Sequence, residues 1–212
     1  MCNFLVCCCN GAVGASAGTV VEWPVSHGSP DGVSISPSGN VVITIRDSGQ
    51  LVILGPTGQV VKQVKLPSEL VFPRHAIQLP GTSGQYLLCH GWGGSAHGIC
   101  LVDGSGHITK SAAGPRDGAR DGTARPKSFT PTHLAVDGHG NVLVAEFTGC
   151  VVQQYSRQLQ YIGDVVINDD GGGSLHQPFR LCVDQASGRL YVGEYGGTKA
   201  RVLVFDAHIK QA

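Results

Sequence analysis

Three side chains that could bind a metal or an anion recur at one position of a repeated sequence pattern. His75, His133 and Arg180 each stand two residues after a proline that opens a short apolar run. Equivalent positions of a closed repeat array gather in one place, so these side chains are expected to converge. A catalytic zinc requires three protein ligands and only two histidines occupy the position, so the pattern favours an anionic or polar partner over a metal.

A second group of possible metal ligands surrounds one glycine-rich turn and consists of Cys89, His90, His97 and Cys100. Sulfur and imidazole ligands suit zinc. Neighbouring residues of a strand point to opposite faces, however, so Cys89 and His90 do not readily bind one ion. The acidic stretch 168–171 lacks the alternating ligands of a calcium loop. The sequence therefore predicts no metal site and no cofactor.

Signatures of hydrolytic and phosphate-binding enzymes are missing from the sequence. It contains no G-x-S-x-G nucleophile turn, no H-E-x-x-H pair and no glycine-rich phosphate loop ahead of a helix. No catalytic residue is predicted.

The elements that must position these side chains are short strands in four copies of one pattern. In each copy a proline opens an apolar strand, a glycine-containing turn follows, and further apolar strands come next. The copies begin at Pro30, Pro73, Pro131 and Pro178, 43 to 58 residues apart, which fits propeller blades once one long insertion is allowed. No window shows helical periodicity. An all-β propeller of four four-stranded blades is predicted, as a closed ring or a partial array.

Three copies predict definite strands, and Gly, Asp, Asn or Ser stands at the ends of these apolar runs. The first copy predicts strands at Val33–Ser36, Val41–Ile45, Leu51–Leu54 and Gln59–Val64. The third predicts them at His133–Asp137, Asn141–Glu146, Cys150–Tyr155 and Gln160–Val165. The fourth predicts only Arg180–Asp184, Arg189–Glu194 and Arg201–Phe205. We expect Thr19–Val25 to supply the strand that completes this blade and closes the ring.

The propeller is expected to cover residues 19–206, between a leader at 1–18 and a tail at 207–212. A long polar loop at 111–128 separates the second and third copies; its cationic residues are Arg116, Arg120, Arg125 and Lys127. Long loops in repeat proteins often carry function, although a solvated linker fits this composition equally well.

Composition limits the partners and the compartment. The formal net charge is zero and charged residues make up 14% of the chain, so no global attraction to nucleic acid or anionic membranes is expected. Cys89, Cys100, Cys150 and Cys182 are scattered through predicted strands and are expected to be free thiols in the cytoplasm, with a Cys89–Cys100 bridge as the alternative. The N-terminal cysteine cluster leaves secretion or palmitoylation as minor alternatives. No stretch is apolar enough for a membrane span.

One rim of the propeller collects the residues that we expect to bind a partner. In an antiparallel four-stranded blade, the link into the first strand and the turn between the second and third strands lie on the same rim. We name it the proline rim, and it gathers Arg46, Arg74, His75, Trp92, Thr132, His133, Phe147, Phe179, Arg180 and Tyr195. Trp, Tyr and Arg are the side chains most often found as interface hot spots. Phe147 and Tyr195 could instead pack between blades.

The third and fourth copies, PTHLAVDGHGNVLVAEF and PFRLCVDQASGRLYVGEY, resemble the NHL-repeat family of β-propellers. Glu146 and Glu194 stand where that family usually has aspartate. The second copy resembles a blade variant of invertebrate NHL-containing proteins, and the similarity covers about residues 30–206. Family members commonly have six blades and follow RING, B-box and coiled-coil modules in tripartite-motif ubiquitin ligases. This sequence has four recognisable blades and none of those modules.

The resemblance implies a non-catalytic scaffold that binds a protein partner through the rim, related to substrate recognition by ubiquitin ligases. Single-stranded RNA is the alternative partner, because some NHL propellers bind it on a basic rim. Arg46, Arg74 and Arg180 would then contact phosphates while Trp92 or Phe147 stacks on bases. The least favoured alternative is a metal-dependent propeller lyase or hydrolase, which would use channel histidines, or carboxylates such as Glu146 and Glu194 as calcium ligands.

Overall fold

The computed structural model describes residues 28–82, 84–91, 97–113, 129–165, 175–195 and 200–206, and these are strands and turns. Blade 1 contains β1 (Pro30–Ile35), β2 (Val41–Ile45), β3 (Gln50–Leu54) and β4 (Val60–Lys65). Blade 2 contains β5 (Pro73–Gln78), β6 (Tyr86–His90), β7 (Gly98–Val102) and β8 (Ile108–Ala112). Blade 3 contains β9 (Pro131–Val136), β10 (Val142–Glu146), β11 (Val151–Tyr155) and β12 (Tyr161–Asp164). Blade 4 contains β13 (Pro178–Asp184), β14 (Arg189–Glu194) and β15 (Val202–Asp206).

Each sheet is an antiparallel meander in sequence order, and together the four sheets form a four-blade β-propeller. This confirms the predicted fold class. The predicted bounds of β2 and β14 are those observed, and the other predicted strands differ by at most three residues. The innermost strands begin earlier than predicted because the opening proline already pairs with the second strand, as Pro131 does with Glu146. A proline is tolerated there because it stands at the first position of its strand.

The core consists of apolar clusters between consecutive blades. The middle strands bury both faces, so β6 and β10 are buried at every residue. In β6, Leu88 packs in the cluster shared by blades 1 and 2, whereas Leu87 and Cys89 pack in the cluster shared by blades 2 and 3. Leu143 of β10 belongs to the cluster between blades 3 and 4. Alternation of side chains across a strand therefore explains why these strands are almost continuously apolar.

The first strand of each blade is the innermost one. β1 contacts β5, β5 contacts β9, and β9 contacts β13, whereas β13 and β1 make no comparable contact. The first strands of blades 4 and 1 therefore pack less closely on each other than the first strands of consecutive blades do. These four strands surround the axis and present the residues after each opening proline to it.

One backbone hydrogen bond recurs in all four blades and forms the proline rim. The residue that follows the second strand donates its N–H to the carbonyl of the residue that precedes the opening proline. The four bonds join Arg46 to Ser29, Gly91 to Phe72, Phe147 to Thr130 and Tyr195 to Gln177, with lengths of 3.0 to 3.2 Å. The link into the first strand and the turn after the second therefore lie side by side, as the repeat pattern predicted.

The cysteines correct part of the sequence prediction. Cys89, Cys100 and Cys150 are free thiols. Cys89 and Cys100 point into different clusters, which excludes a bridge between them, and burial raises the pKa of each thiol to about 12. Cys182 is disulfide-bonded, so the prediction of a free thiol is wrong for this residue.

Several predictions concern residues outside the described ranges: the closing strand Thr19–Val25, Trp92, the leader and the tail. The loop predicted at 111–128 begins later than expected, because β8 continues to Ala112. Within the described ranges, no helix has the length and apolar character needed to cross a membrane.

Candidate functional site

The axial position two residues after each opening proline holds Gly32, His75, His133 and Arg180 in blades 1 to 4. Gly32 is required by close contact between the innermost strands. A Cβ at this position would lie 2.3 Å from the Arg74 carbonyl oxygen and 2.8 Å from the His75 Cα. Blade 1 therefore supplies backbone at the axis, and the other three blades supply side chains.

His75 is a buried structural residue that joins three blades. It is 2% exposed. Its Nδ1 accepts a hydrogen bond from the Leu134 backbone N–H at 3.3 Å, and its Nε2 lies 3.3 Å from the Val33 carbonyl oxygen. An imidazole that accepts at Nδ1 and donates at Nε2 is neutral. Burial, followed by the charge of Arg180, lowers the pKa of His75 to about 3.

His133 repeats this arrangement one blade further on. Its Nδ1 accepts a hydrogen bond from the Leu181 backbone N–H at 3.3 Å. Its ring stacks on that of His75, with centroids 3.7 Å apart and planes inclined by 16°. Burial, then His75 and Arg180, hold the pKa of His133 well below its usual value. Because Nδ1 accepts, the ring proton of neutral His133 belongs on Nε2, which has no hydrogen-bond partner among the described residues.

Two arginines and one aspartate lie where the axis meets the proline rim, a place that we name the channel mouth. Arg74 and Arg180 are half-buried, and burial is the main reason that both have a lowered pKa. The charge of Asp31 acts on both guanidinium groups in the opposite direction. Arg180 Nη1 donates to the Phe179 carbonyl oxygen at 3.0 Å. The charges of these two arginines and of Asp31 therefore influence one another at this end of the axis.

An aromatic cluster borders this charged group where blades 3 and 4 meet. The centroid of the Phe179 ring lies 5.4 Å from that of Tyr195 and 6.5 Å from that of Phe147, and the Phe147 and Tyr195 centroids are 6.2 Å apart. The Arg180 guanidinium carbon lies 4.1 Å from the Phe179 centroid. Tyr195 is 61% exposed. The rings thus pack between blades and still present a surface, which we name the aromatic patch (Phe147, Phe179 and Tyr195).

The other predicted rim residues fall into three groups. Arg46 is exposed and pairs with Asp47 at 3.4 Å. Thr132 is 1% exposed, and its hydroxyl donates to the carbonyl oxygens of Ala145 and Pro178 at 3.3 and 3.1 Å. Thr132 and His75 therefore lie beneath the rim surface, which corrects their assignment as contact residues. Trp92 lies outside the described residues.

The two glutamates considered as calcium ligands hold the proline rim together instead. Glu146 is 4% exposed, and its carboxylate accepts backbone N–H groups of Thr130 and Thr148 at 2.8 and 3.1 Å and that of Gly149. Glu194 accepts the His176 backbone N–H at 2.6 Å and pairs with Arg201 at 2.6 Å. Their recurrence in two repeats was the sequence signal for this structural role.

No three His, Cys, Asp or Glu side chains in the described ranges stand close enough to hold a metal ion. In the soft-ligand group, Cys89 packs in an apolar cluster and His90 is buried. Cys100 packs in the apolar cluster between blades 1 and 2, so the two thiols of this group point to different faces of blade 2.

Similar solved structures are β-propeller proteins. A protein of unknown function from Bacteroides caccae matches with a TM-score of 0.65 and 18% identity, over 83% of this chain and 60% of that one. A catalytically inactive virginiamycin B lyase from Staphylococcus aureus, solved with quinupristin, matches with a TM-score of 0.56 and 14% identity, over 88% and 58%. A putative gluconolactonase matches with a TM-score of 0.55 and 18% identity, over 84% and 61%.

The chain spans about three fifths of the length of these neighbours. No protein-family model matches the chain, and no curated protein matches it significantly. At these identities the likeness to solved structures establishes the β-propeller fold.

Proposed function

We propose that this propeller is of the NHL type and acts as a non-catalytic interaction module that binds a protein partner through the proline rim. The observation that carries this proposal is the aromatic patch beside Arg180. Tyr and Arg are among the side chains most enriched at interface hot spots, and here the exposed Tyr195 lies in one cluster with Arg180. Tyr195 has both an apolar ring and a hydroxyl, and such side chains suit surfaces that are exposed to solvent before binding and buried afterwards.

The structural use of the candidate catalytic groups supports a binding role over an enzymatic one. Glu146 and Glu194 are engaged by backbone N–H groups or by Arg201, which leaves them poorly placed to ligate calcium. The two axial histidines have their Nδ1 atoms engaged by backbone N–H groups. A general base or metal ligand needs a free lone pair that faces the substrate.

Single-stranded RNA is the second candidate partner. Arg180 over Phe179 places a cation beside a ring, the pair that single-stranded nucleic acids use for phosphate contact and base stacking. The two candidates differ in their response to salt. Affinity for RNA should fall steeply between low and moderate salt, whereas an interface made by the aromatic patch should respond weakly.

A photocrosslinking amino acid placed at Tyr195 tests the proposal in cells that express the protein. The expected result is a covalent adduct with one defined protein, which is then purified and titrated against the unmodified chain. Tyr195→Ser should weaken that binding about thirtyfold or more, since loss of a hot-spot aromatic costs at least about 2 kcal/mol. Tyr161→Ser is the matched control, because Tyr161 is 39% exposed on the outer strand β12.

Equal losses in the two variants would contradict a role for the proline rim. An adduct with RNA, together with affinity that falls steeply with salt, would replace the protein partner by the second candidate. Stoichiometric metal in the purified protein, with substrate turnover that it supports, would overturn the non-catalytic assignment.

A further inference from the structure

The channel mouth holds a cationic group and a hydrogen-bond donor that have no ion-pair or acceptor partner among the described side chains. Arg180 forms no ion pair within the described ranges, and its side chain donates a hydrogen bond to the carbonyl oxygen of its neighbour Phe179. His133 is partly exposed, and its Nε2–H has no hydrogen-bond acceptor among the described residues. A guanidinium and an imidazole N–H are both donors without acceptor capacity in these states.

Neutral histidines make this site selective for a single negative charge. If both imidazoles were protonated they would add two charges, but each accepts a backbone N–H and stays neutral. The charges of Asp31 and Arg74 act on the Arg180 guanidinium in opposite directions. A carboxylate brings one negative charge into this half-buried place and a phosphate dianion brings two, so the carboxylate is less costly to desolvate.

Blade 1 contributes no side chain at the axial position, because a Cβ on Gly32 would collide with the Arg74 carbonyl oxygen. Among the axial side chains of the other blades, His75 is buried, whereas His133 and Arg180 are partly exposed. The aromatic patch lies immediately beside the channel mouth, since Phe179 precedes Arg180 and supports its guanidinium at 4.1 Å.

We propose that the channel mouth receives the carboxylate of a Glu or Asp side chain in an acidic segment of the partner. Arg180 binds the carboxylate, His133 Nε2–H donates to it, and the aromatic patch packs on the flanking apolar residues. This inference rests on the proposed protein-binding function and names the chemistry of the segment that is bound. Charge-assisted hydrogen bonds of this kind are about twice as strong as neutral ones.

Blocked pentapeptides that differ only at the central residue test this assignment. The probes carry Glu, Gln or phosphoserine between two leucines, and oligouridine is the fourth probe. Binding is measured by calorimetry and by the NMR shifts of the His75 and His133 rings. The Glu peptide should bind about tenfold more tightly than the Gln peptide and should shift the His133 signals.

Arg180→Gln should remove this tenfold preference, and Arg180→Lys should retain part of it because the charge remains. Arg189→Gln is the matched control, since Arg189 lies on the opposite rim of the same blade and pairs with Asp206 at 3.2 Å. If Arg180→Gln does not fold, the lysine variant and the Glu–Gln comparison on the unaltered protein carry the test.

Equal affinity for the Glu and Gln peptides would overturn the inference, as would tighter Arg180-dependent binding of phosphoserine or oligouridine. The two proposals can fail separately. Loss of partner binding in Tyr195→Ser without any Glu preference leaves the rim function standing and removes the carboxylate site. A Glu preference that depends on Arg180, without a protein adduct at Tyr195, supports anion binding and removes the rim interface.

Discussion

His75 and His133 link the stability of the channel to pH, because both accept a backbone N–H at Nδ1 and neither can be protonated there without losing that bond. Their pKa values in the folded chain are lowered by burial first, to about 3 for His75. The ordinary value in an unfolded chain is about 6.5. Below that pH the two imidazoles bind protons in the unfolded state but not in the folded state, so the free energy of unfolding falls as the pH decreases.

The free energy of unfolding should therefore decrease by up to about 1.4 kcal/mol per pH unit for each imidazole as the pH falls from about 6.5 toward 5. Urea unfolding at pH 7.5, 6.0 and 5.0 measures the slope. His75→Gln should reduce it, whereas His139→Gln, which alters an exposed histidine of a turn, should not. An unchanged slope in His75→Gln would contradict the assignment of this ring as neutral.

Sequence reasoning located the axial residues but not the state of their side chains. Repeat alignment was enough to place His75, His133 and Arg180 together. The stacking of the two rings and the burial of Thr132 depend on distances between strands of different blades, which no local pattern encodes. The assignment of His75 and Thr132 to the rim surface failed for this reason.

At the scale of elements, the carboxylate of Glu146 connects the segment that leads into β9 with the turn after β10 by hydrogen bonds. It accepts backbone N–H groups from both segments, including those of Thr130 and Thr148. These donors have no other acceptor that could replace a buried carboxylate. An amide in its place keeps one oxygen and directs an NH₂ group at another donor, which leaves a buried polar group unsatisfied.

Glu146→Gln should therefore lower the free energy of unfolding by about 1–3 kcal/mol. Glu69→Gln is the matched control, because Glu69 is exposed in a turn and should change stability by less than about 0.5 kcal/mol. Urea unfolding at neutral pH provides both values. Equal effects of the two substitutions would show that the link does not depend on the charge of Glu146.

Strands and turns were the most predictable level of this structure. Their apolar runs are bounded by glycine-containing turns, and each blade repeats the same hydrogen bond across the proline rim. The sequence did not reveal that the innermost strands start at the prolines themselves. That pairing joins residues far apart in the sequence, since Pro30 pairs with Ile45 and Pro131 with Glu146.

At the scale of the whole molecule, blade 4 differs from the others in its outermost described strand. β3, β7 and β11 are third strands and are buried along nearly their whole length. β15 is also a third strand, yet Val202 and Val204 are 64% and 52% exposed. Within the described ranges no strand pairs with its outer edge. The apolar sequence of β15 suits a buried position, while its surroundings are those of an edge.

An apolar strand edge with unpaired backbone groups promotes association between molecules. The outer edge of blade 1 is protected differently, because Lys62 and Lys65 accompany the exposed valines of β4. Val204→Lys should therefore reduce concentration-dependent self-association in analytical ultracentrifugation, whereas Val61→Lys on β4 should leave it unchanged. A concentration-independent monomer that Val204→Lys destabilises like a core substitution, by about 2 kcal/mol or more, would instead mean that the chain covers this edge itself. The strand predicted at Thr19–Val25 would then be the segment to delete next.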